Sequence, residues 1–243
     1  MPASWPCPRF TRALVTSLSV LVVVAADGCG REPQQAPAPP AAPAPAPARA
    51  RDADEPALPK VAFLGDSISA GLNLPAEEAF PLVLAARLRA QGAPFVPINA
   101  GVSGDTTAGG LRRIAFLLKQ RPAVVVVELG ANDGLRGVPL ASIESNLRAI
   151  LEQVRSAGAV PLLLGMRLPT SYGADYAEGF AAIYPRLAAE LDVRFVPFFM
   201  EGVAGVPELN QEDALHPTAA GHRRLADNAQ RALRDALAAA TTP

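Results

Sequence analysis

Ala-Val-Val-Val-Val-Glu-Leu, at residues 123–129, is the stretch that decides the fold of this 243-residue chain. A continuous β-branched run without polar alternation reads as a central parallel strand buried on both faces. Working outward, shorter apolar runs at 60–64, 95–98, 160–164 and 194–196 read as four more strands. Between them, helical spacing occupies 77–91, where Phe80, Val83, Leu84 and Leu88 share one face, then 111–120, 142–156, 176–191 and 219–239. Five strands alternating with five helices predict a three-layer α/β/α sandwich on a five-stranded parallel sheet. In such a sheet, reactive groups belong where the carboxyl ends of strands feed into loops.

Composition narrows the function classes. With 22 basic and 23 acidic residues the net charge is −1, which gives no basic footprint for nucleic acid. No apolar run reaches the ~18 residues that a membrane-spanning helix needs, which rules out a multi-spanning membrane protein. The two cysteines, Cys7 and Cys29, both precede the folded region, so neither a zinc cluster nor a disulfide framework is available to it. His216 and His222 are the only histidines, and any imidazole chemistry falls on one of them.

Three segments follow from these patterns: 1–30, 31–59 and 60–243. In the first, Arg9 and Arg12 precede the apolar run 13–26, as in an export signal. Ala26-Asp27-Gly28-Cys29 resembles a bacterial lipobox, which would make Cys29 a lipid-modified anchor in the periplasm or cell envelope. Ordinary cleavage after Val24-Ala25-Ala26 is the alternative and would leave Cys29 a free thiol. The second segment carries seven prolines between Pro33 and Pro47, alternating with alanine. It reads as a disordered linker that could span roughly 90 Å at ~3.1 Å per residue. The third is the folded domain, expected to be a monomer.

Four motifs fall at the strand ends of that domain. The first strand runs into Gly65-Asp66-Ser67-Ile68-Ser69, which puts Ser67 at the strand-to-helix turn, exposed at the sheet edge. The second runs into Gly101-Val102-Ser103-Gly104-Asp105, where Gly104 lacks a Cβ and can bring its N–H close to a ligand. The central strand runs into Gly130-Ala131-Asn132-Asp133, which offers the Asn132 amide as a donor. Asp213-Ala214-Leu215-His216 puts a carboxylate three residues before an imidazole, just ahead of the last helix.

One chemistry joins the four. A serine hydroxyl is a weak nucleophile until a base accepts its proton, and histidine is the usual base near neutral pH. The base needs an acceptor on its other nitrogen to fix tautomer and orientation, a role that suits Asp213. A tetrahedral oxyanion needs preorganised donors, and the N–H groups of Ser67 and Gly104 with the Asn132 amide supply three. Asp66, Asp105 and Asp133 are expected to shape loops, His222 to be a surface or structural residue, and Arg112, Arg113, Arg223 and Arg224 to form solvated faces.

These blocks resemble the SGNH (GDSL) hydrolase superfamily, and within it the thioesterase I/lysophospholipase L1 (arylesterase) group. Residues 103–107 (SGDTT), 127–137 (VELGANDGLRG), 167–173 (RLPTSYG), 183–193 (IYPRLAAELDV) and 197–201 (PFFME) carry the likeness further. The resemblance implies a flavodoxin-like sheet of order 2-1-3-4-5 and no metal or cofactor. It implies Ser67 as nucleophile, His216 as base, Asp213 as its partner, and Ser67, Gly104 and Asn132 as the oxyanion hole. The activity expected is hydrolysis of acyl esters or thioesters, with small acyl esters or lysophospholipids as substrates. Carbohydrate O-deacetylation is a second reading, in which Arg167, Thr170, Ser171 and Tyr172 line a sugar site. A third is a catalytically silent envelope lipoprotein that binds lipid.

Overall fold

The structure is a computed structural model and describes residues 57–241. The expected export signal, Cys29 and most of the linker lie outside the described residues. Five parallel strands, β1 (Lys60–Gly65), β2 (Val96–Gly101), β3 (Val124–Glu128), β4 (Val160–Leu164) and β5 (Arg194–Val196), form one sheet of order β2-β1-β3-β4-β5. The expected architecture and strand order are both found.

The β3 run is central because both of its faces are covered. Val124 to Val127 have essentially no exposure, as do Val61 to Leu64 on β1 and Leu162 to Leu164 on β4. The covering helices are α2 (Phe80–Ala90), α3 (Thr107–Leu118), α5 (Leu140–Ser156), α6 (Ala174–Glu190) and α7 (Ala219–Thr241). α2 packs with α7, while α3 packs with α5 and α5 with α6, giving two helical layers. On α5 the buried residues Ile143, Leu147, Ile150, Leu151 and Val154 recur at the spacing of one helical face. Phe63 meets Phe80 edge-on at 5.6 Å and Phe80 meets Phe199 at 4.8 Å, binding β1 to α2 and to the loop after β5.

Two short helices, α1 (Ser67–Ala70) and α4 (Ala131–Leu135), start directly after β1 and β3 and were not expected. The helix expected over 77–91 is instead a 3-10 turn at Ala76–Glu78 followed by α2. Pro81 explains the break, since it lacks the N–H that would bond back to Glu77 and its ring would strike that carbonyl. Its place in the first turn of α2 is where proline is tolerated. β2 extends through Asn99, Ala100 and Gly101, three residues beyond the expected end. Among the described residues, no helix is long and apolar enough to cross a membrane.

Candidate active site

Gly65, the last residue of β1, stands level with Gly101 on β2 and Glu128 on β3. A Cβ on Gly65 would lie 1.9 Å from the Ser69 hydroxyl and 2.6 Å from a Glu128 carboxylate oxygen. Only glycine therefore lets the chain turn this tightly from strand into α1. Asp66 caps that helix, its Oδ1 accepting the Ile68 N–H at 3.0 Å. Ser67 follows as the first helical residue. It is only 7% exposed, so the expected exposed hydroxyl is corrected. Loops from later strands and the loop before α7 close over the strand end and cover it.

The imidazole arrives from that last loop. Asp213 Oδ1 accepts the N–H groups of Leu215 (2.9 Å) and His216 (3.0 Å), and its Oδ2 lies 2.6 Å from His216 Nδ1. The turn passes through Ala214 at a φ of +57°. These donors, with the His216 backbone N–H foremost, draw the Asp213 carboxyl down to about 2. With Nδ1 donating to Asp213, Nε2 is left as an acceptor, and it sits 2.9 Å from Ser67 Oγ. Gln211 anchors the loop from outside. Its N–H donates to the His216 carbonyl at 2.7 Å, and its side-chain amide donates to the carbonyls of Leu72 and Pro217. Nothing in the sequence motifs had pointed to Gln211.

Asn132, on the first turn of α4, donates its amide to Asp66 Oδ2 at 3.0 Å. Next to it Asp133 accepts the N–H (2.8 Å) and hydroxyl (2.6 Å) of Thr107, which in turn accepts from Asn146. Asp133 thus ties α4 to α3 and α5, the loop-shaping role expected of it. Gly104, with a φ of +77°, is exposed, and its carbonyl accepts from Arg136 at 3.0 Å.

A cavity of about 330 Å³ opens at this point. Ser67, His216, Asn132 and Asp66 line it on one side, and Ile68, Leu135, Leu168, Met200 and Leu215 give it apolar walls. Gly104 is not among its lining residues, and Asp213 sits behind His216 rather than in the wall. Of the polar residues considered for a sugar site, only Arg167 lines the cavity, its guanidinium 4.9 Å from the Phe198 ring centre.

Arg113 differs from expectation, Glu128 escaped it, and His222 fills the structural role expected of it. Arg113 does not form a solvated face: its guanidinium donates to the carbonyls of Gly65 (2.9 Å) and Ala100 (2.5 Å) and to Asp105 (2.7 Å). It thereby clamps the ends of β1 and β2, because a guanidinium fork can serve three acceptors at once. His222 is structural and buried: its Nδ1 accepts the Phe80 N–H at 3.2 Å, and its ring stacks on Phe80. That imidazole caps α2, whose N-cap residue Ala79 has no side chain able to do so. Burial draws His222 down to about 4. Glu128 is fully buried beneath the Ser67 turn and accepts the Ser69 hydroxyl at 2.7 Å. The sequence signal for it was a single carboxylate inside an otherwise apolar buried strand.

A serine hydroxyl, an imidazole and a carboxylate in hydrogen-bonded series beside an apolar cavity define a hydrolase of the serine type. Residues 63–224 match the GDSL-like Lipase/Acylhydrolase family, and the chain belongs to it. It is similar to esterase TesA of Pseudomonas aeruginosa, 45% identical over 166 residues that cover 68% of this chain and 83% of that protein. It is likewise similar to thioesterase 1/protease 1/lysophospholipase L1 of Escherichia coli, 47% identical over 165 residues covering 68% and 78%. Among solved structures, a crystal structure of TesA shares 43% identity with a TM-score of 0.70, covering 72% of this chain and 98% of that one.

Proposed function

We propose that Ser67 is the nucleophile of this serine esterase, with His216 as general base and Asp213 as its orienting partner. The observation that carries the proposal is the 2.9 Å contact between Ser67 Oγ and His216 Nε2, side chains 149 residues apart in sequence. The Ser67 hydroxyl gives its proton to Nε2 as Oγ attacks the acyl carbonyl carbon. Asp213 stabilises the imidazolium that forms. The carbonyl oxygen becomes an oxyanion that takes N–H donors from Ser67 and the Asn132 amide, both in the cavity wall, and from Gly104, the third donor that the family resemblance implies. When the tetrahedral intermediate collapses, the C–O or C–S bond breaks and His216 returns its proton to the leaving alcohol or thiol. Water, deprotonated by His216, then attacks the acyl-enzyme and releases the acid and Ser67.

The walls around Ser67 favour an acyl chain over a sugar. Ile68, Leu135, Leu168, Met200 and Leu215 supply the lining, whereas Thr170, Ser171 and Tyr172 stand outside it. Lysophospholipids and other single-chain acyl esters are the substrates proposed. Action outside the cytoplasm, with export by residues 1–30 and anchoring through Cys29, rests on the sequence patterns alone. Mass spectrometry of the native N-terminus tests that part.

For the nucleophile, the test is a fluorophosphonate probe followed by peptide mapping. Displacement of fluoride by Ser67 Oγ should place the label on the peptide containing Ser67 and nowhere else. A label on another serine, or no label on active protein, overturns the assignment.

A further inference from the structure

Two buried carboxyl groups beneath the nucleophile turn, Asp66 and Glu128, take no part in the acyl-transfer steps above. Glu128 closes β3, and a single oxygen of it, Oε2, accepts three donors. These are the Asp66 N–H at 3.3 Å, the Ser69 N–H at 3.2 Å and the Ser69 hydroxyl at 2.7 Å. The donors bracket Ser67 on both sides, so one oxygen pins the turn that aims the hydroxyl. The other oxygen, Oε1, is enclosed with no hydrogen-bond partner. Asp66 faces the opposite way, with Oδ1 on the Ile68 N–H and Oδ2 on the Asn132 amide, each at 3.0 Å.

We propose that Asp66 and Glu128 are positioning residues of the hydrolysis: Glu128 fixes the Ser67 turn to the end of β3, and Asp66 fixes the Asn132 amide so that its second N–H faces the cavity. The inference rests on the serine-esterase reading above. A primary amide has two N–H groups at a fixed angle, so committing one to Asp66 sets the direction of the other. An oxyanion donor is effective only when it is already aimed at the position where charge develops. An unrestrained Asn132 would lose that aim without losing its donor.

The electrostatics suit these roles. Two carboxyl groups buried this close do not both ionise readily. Burial and the neighbouring Asp66 charge push Glu128 well above the usual carboxylate range. Burial lifts Asp66 to about 6, against the pull of the Ile68 N–H, the Asn132 amide and His216, while Asp105 pushes it upward. Around the pair, α6 contributes Tyr184, whose hydroxyl donates to the Leu129 carbonyl, and α3 contributes Arg113, engaged with Asp105 and the Gly65 carbonyl. As a carboxylate, Asp66 keeps Oδ2 free to accept the Asn132 amide at 3.0 Å.

The test is steady-state hydrolysis of a nitrophenyl ester by the full chain at pH 8, with melting temperatures recorded beside the kinetics. Asp66→Asn leaves one oxygen to serve two donors, and it should lower kcat about 10- to 100-fold, a part of what losing an oxyanion donor costs, with KM changed less than threefold. Glu128→Leu should lower both kcat and melting temperature. Glu128→Gln, whose amide oxygen can take the same three donors, should recover at least tenfold in kcat over the leucine variant. An Asp66→Asn enzyme with kcat within twofold of wild type, or with its loss confined to KM, overturns the role of Asp66. Glutamine performing no better than leucine overturns that of Glu128, and if Glu128→Leu does not fold, Glu128→Gln is held to a kcat within tenfold of wild type. Ser67→Ala run alongside keeps the two questions apart, because retained turnover there defeats the serine reading itself, whatever Asp66 does.

Discussion

Asp213 holds His216 at two points: its Oδ2 meets the ring Nδ1 at 2.6 Å, and its Oδ1 accepts the His216 backbone N–H at 3.0 Å. One carboxylate thus fixes both the tautomer of the ring and the backbone that carries it. The ring cannot tilt away from Ser67 without breaking contacts at both ends.

Replacing Asp213 should therefore cost more than a charge. Asp213→Ala removes the acceptor that fixes the tautomer and unties the Leu215 and His216 N–H groups. Steady-state kinetics should show kcat reduced about 10²- to 10⁴-fold, as when the third member of such a triad is lost. A reduction below tenfold would mean that the loop orients His216 without it. Since the carboxyl is drawn down to about 2, the stability it contributes is present in full above its ordinary 3.8 and is lost as pH falls from there through about 2.

His222 gives the protein an acid-sensitive lock. Its Nδ1 accepts the Phe80 N–H, so protonation removes a bond and buries a charge. The folded protein resists binding this proton down to about 4, against an ordinary value of 6.5, so stability is complete above 6.5 and falls as pH drops from 6.5 to 4. Between pH 7.5 and pH 5 the loss should be about 2 kcal/mol. Asp66 acts in the opposite sense: its raised carboxyl adds stability as pH falls from about 6 toward 3.8. Denaturant unfolding of wild type and His222→Gln at both pH values isolates the histidine, because Asp66 is common to both. Equal pH dependence in the two proteins would refute the lock.

Apolar walls predict a rising chain-length profile. Each methylene buried is worth about 0.8 kcal/mol, roughly fourfold in kcat/KM, until the cavity is filled. A series of nitrophenyl esters from acetyl to lauroyl should climb and then level off. A profile that is flat or highest at acetyl would count against the acyl-chain reading and favour the carbohydrate deacetylase alternative.

Arg113 should prove structural. Arg113→Ala frees the carbonyls of Gly65 and Ala100 and leaves Asp105 without its ion pair. Chemical denaturation should show about 1.5–3 kcal/mol less stability, the range for hydrogen bonds to a charged group. Unchanged stability would show the clamp to be dispensable.

The sheet was legible because its signal is carried by runs of adjacent residues. Residues 123–129 could be little other than a strand covered on both faces, and the motifs at the ends of β1 and β3 follow from where each strand stops. The Ser67–His216 meeting was legible only because the chemistry demands a base and the chain offers two histidines. What stayed hidden depends on side chains crossing between elements. Glu128 looks like one polar residue in an apolar run until α1 is laid over it. Arg113 looks like a surface cation until β1 and β2 end beneath it. The burial of Ser67 follows from loops supplied by other strands, which a local motif does not contain. The break before α2 was legible in principle at Pro81, but apolar periodicity runs through it unbroken.

The most direct test of the central claim is turnover of a nitrophenyl octanoate by Ser67→Ala, with the fold checked by circular dichroism. The account predicts an unchanged spectrum and no hydrolysis above the uncatalysed background. Turnover near the wild-type rate from the folded variant would contradict it.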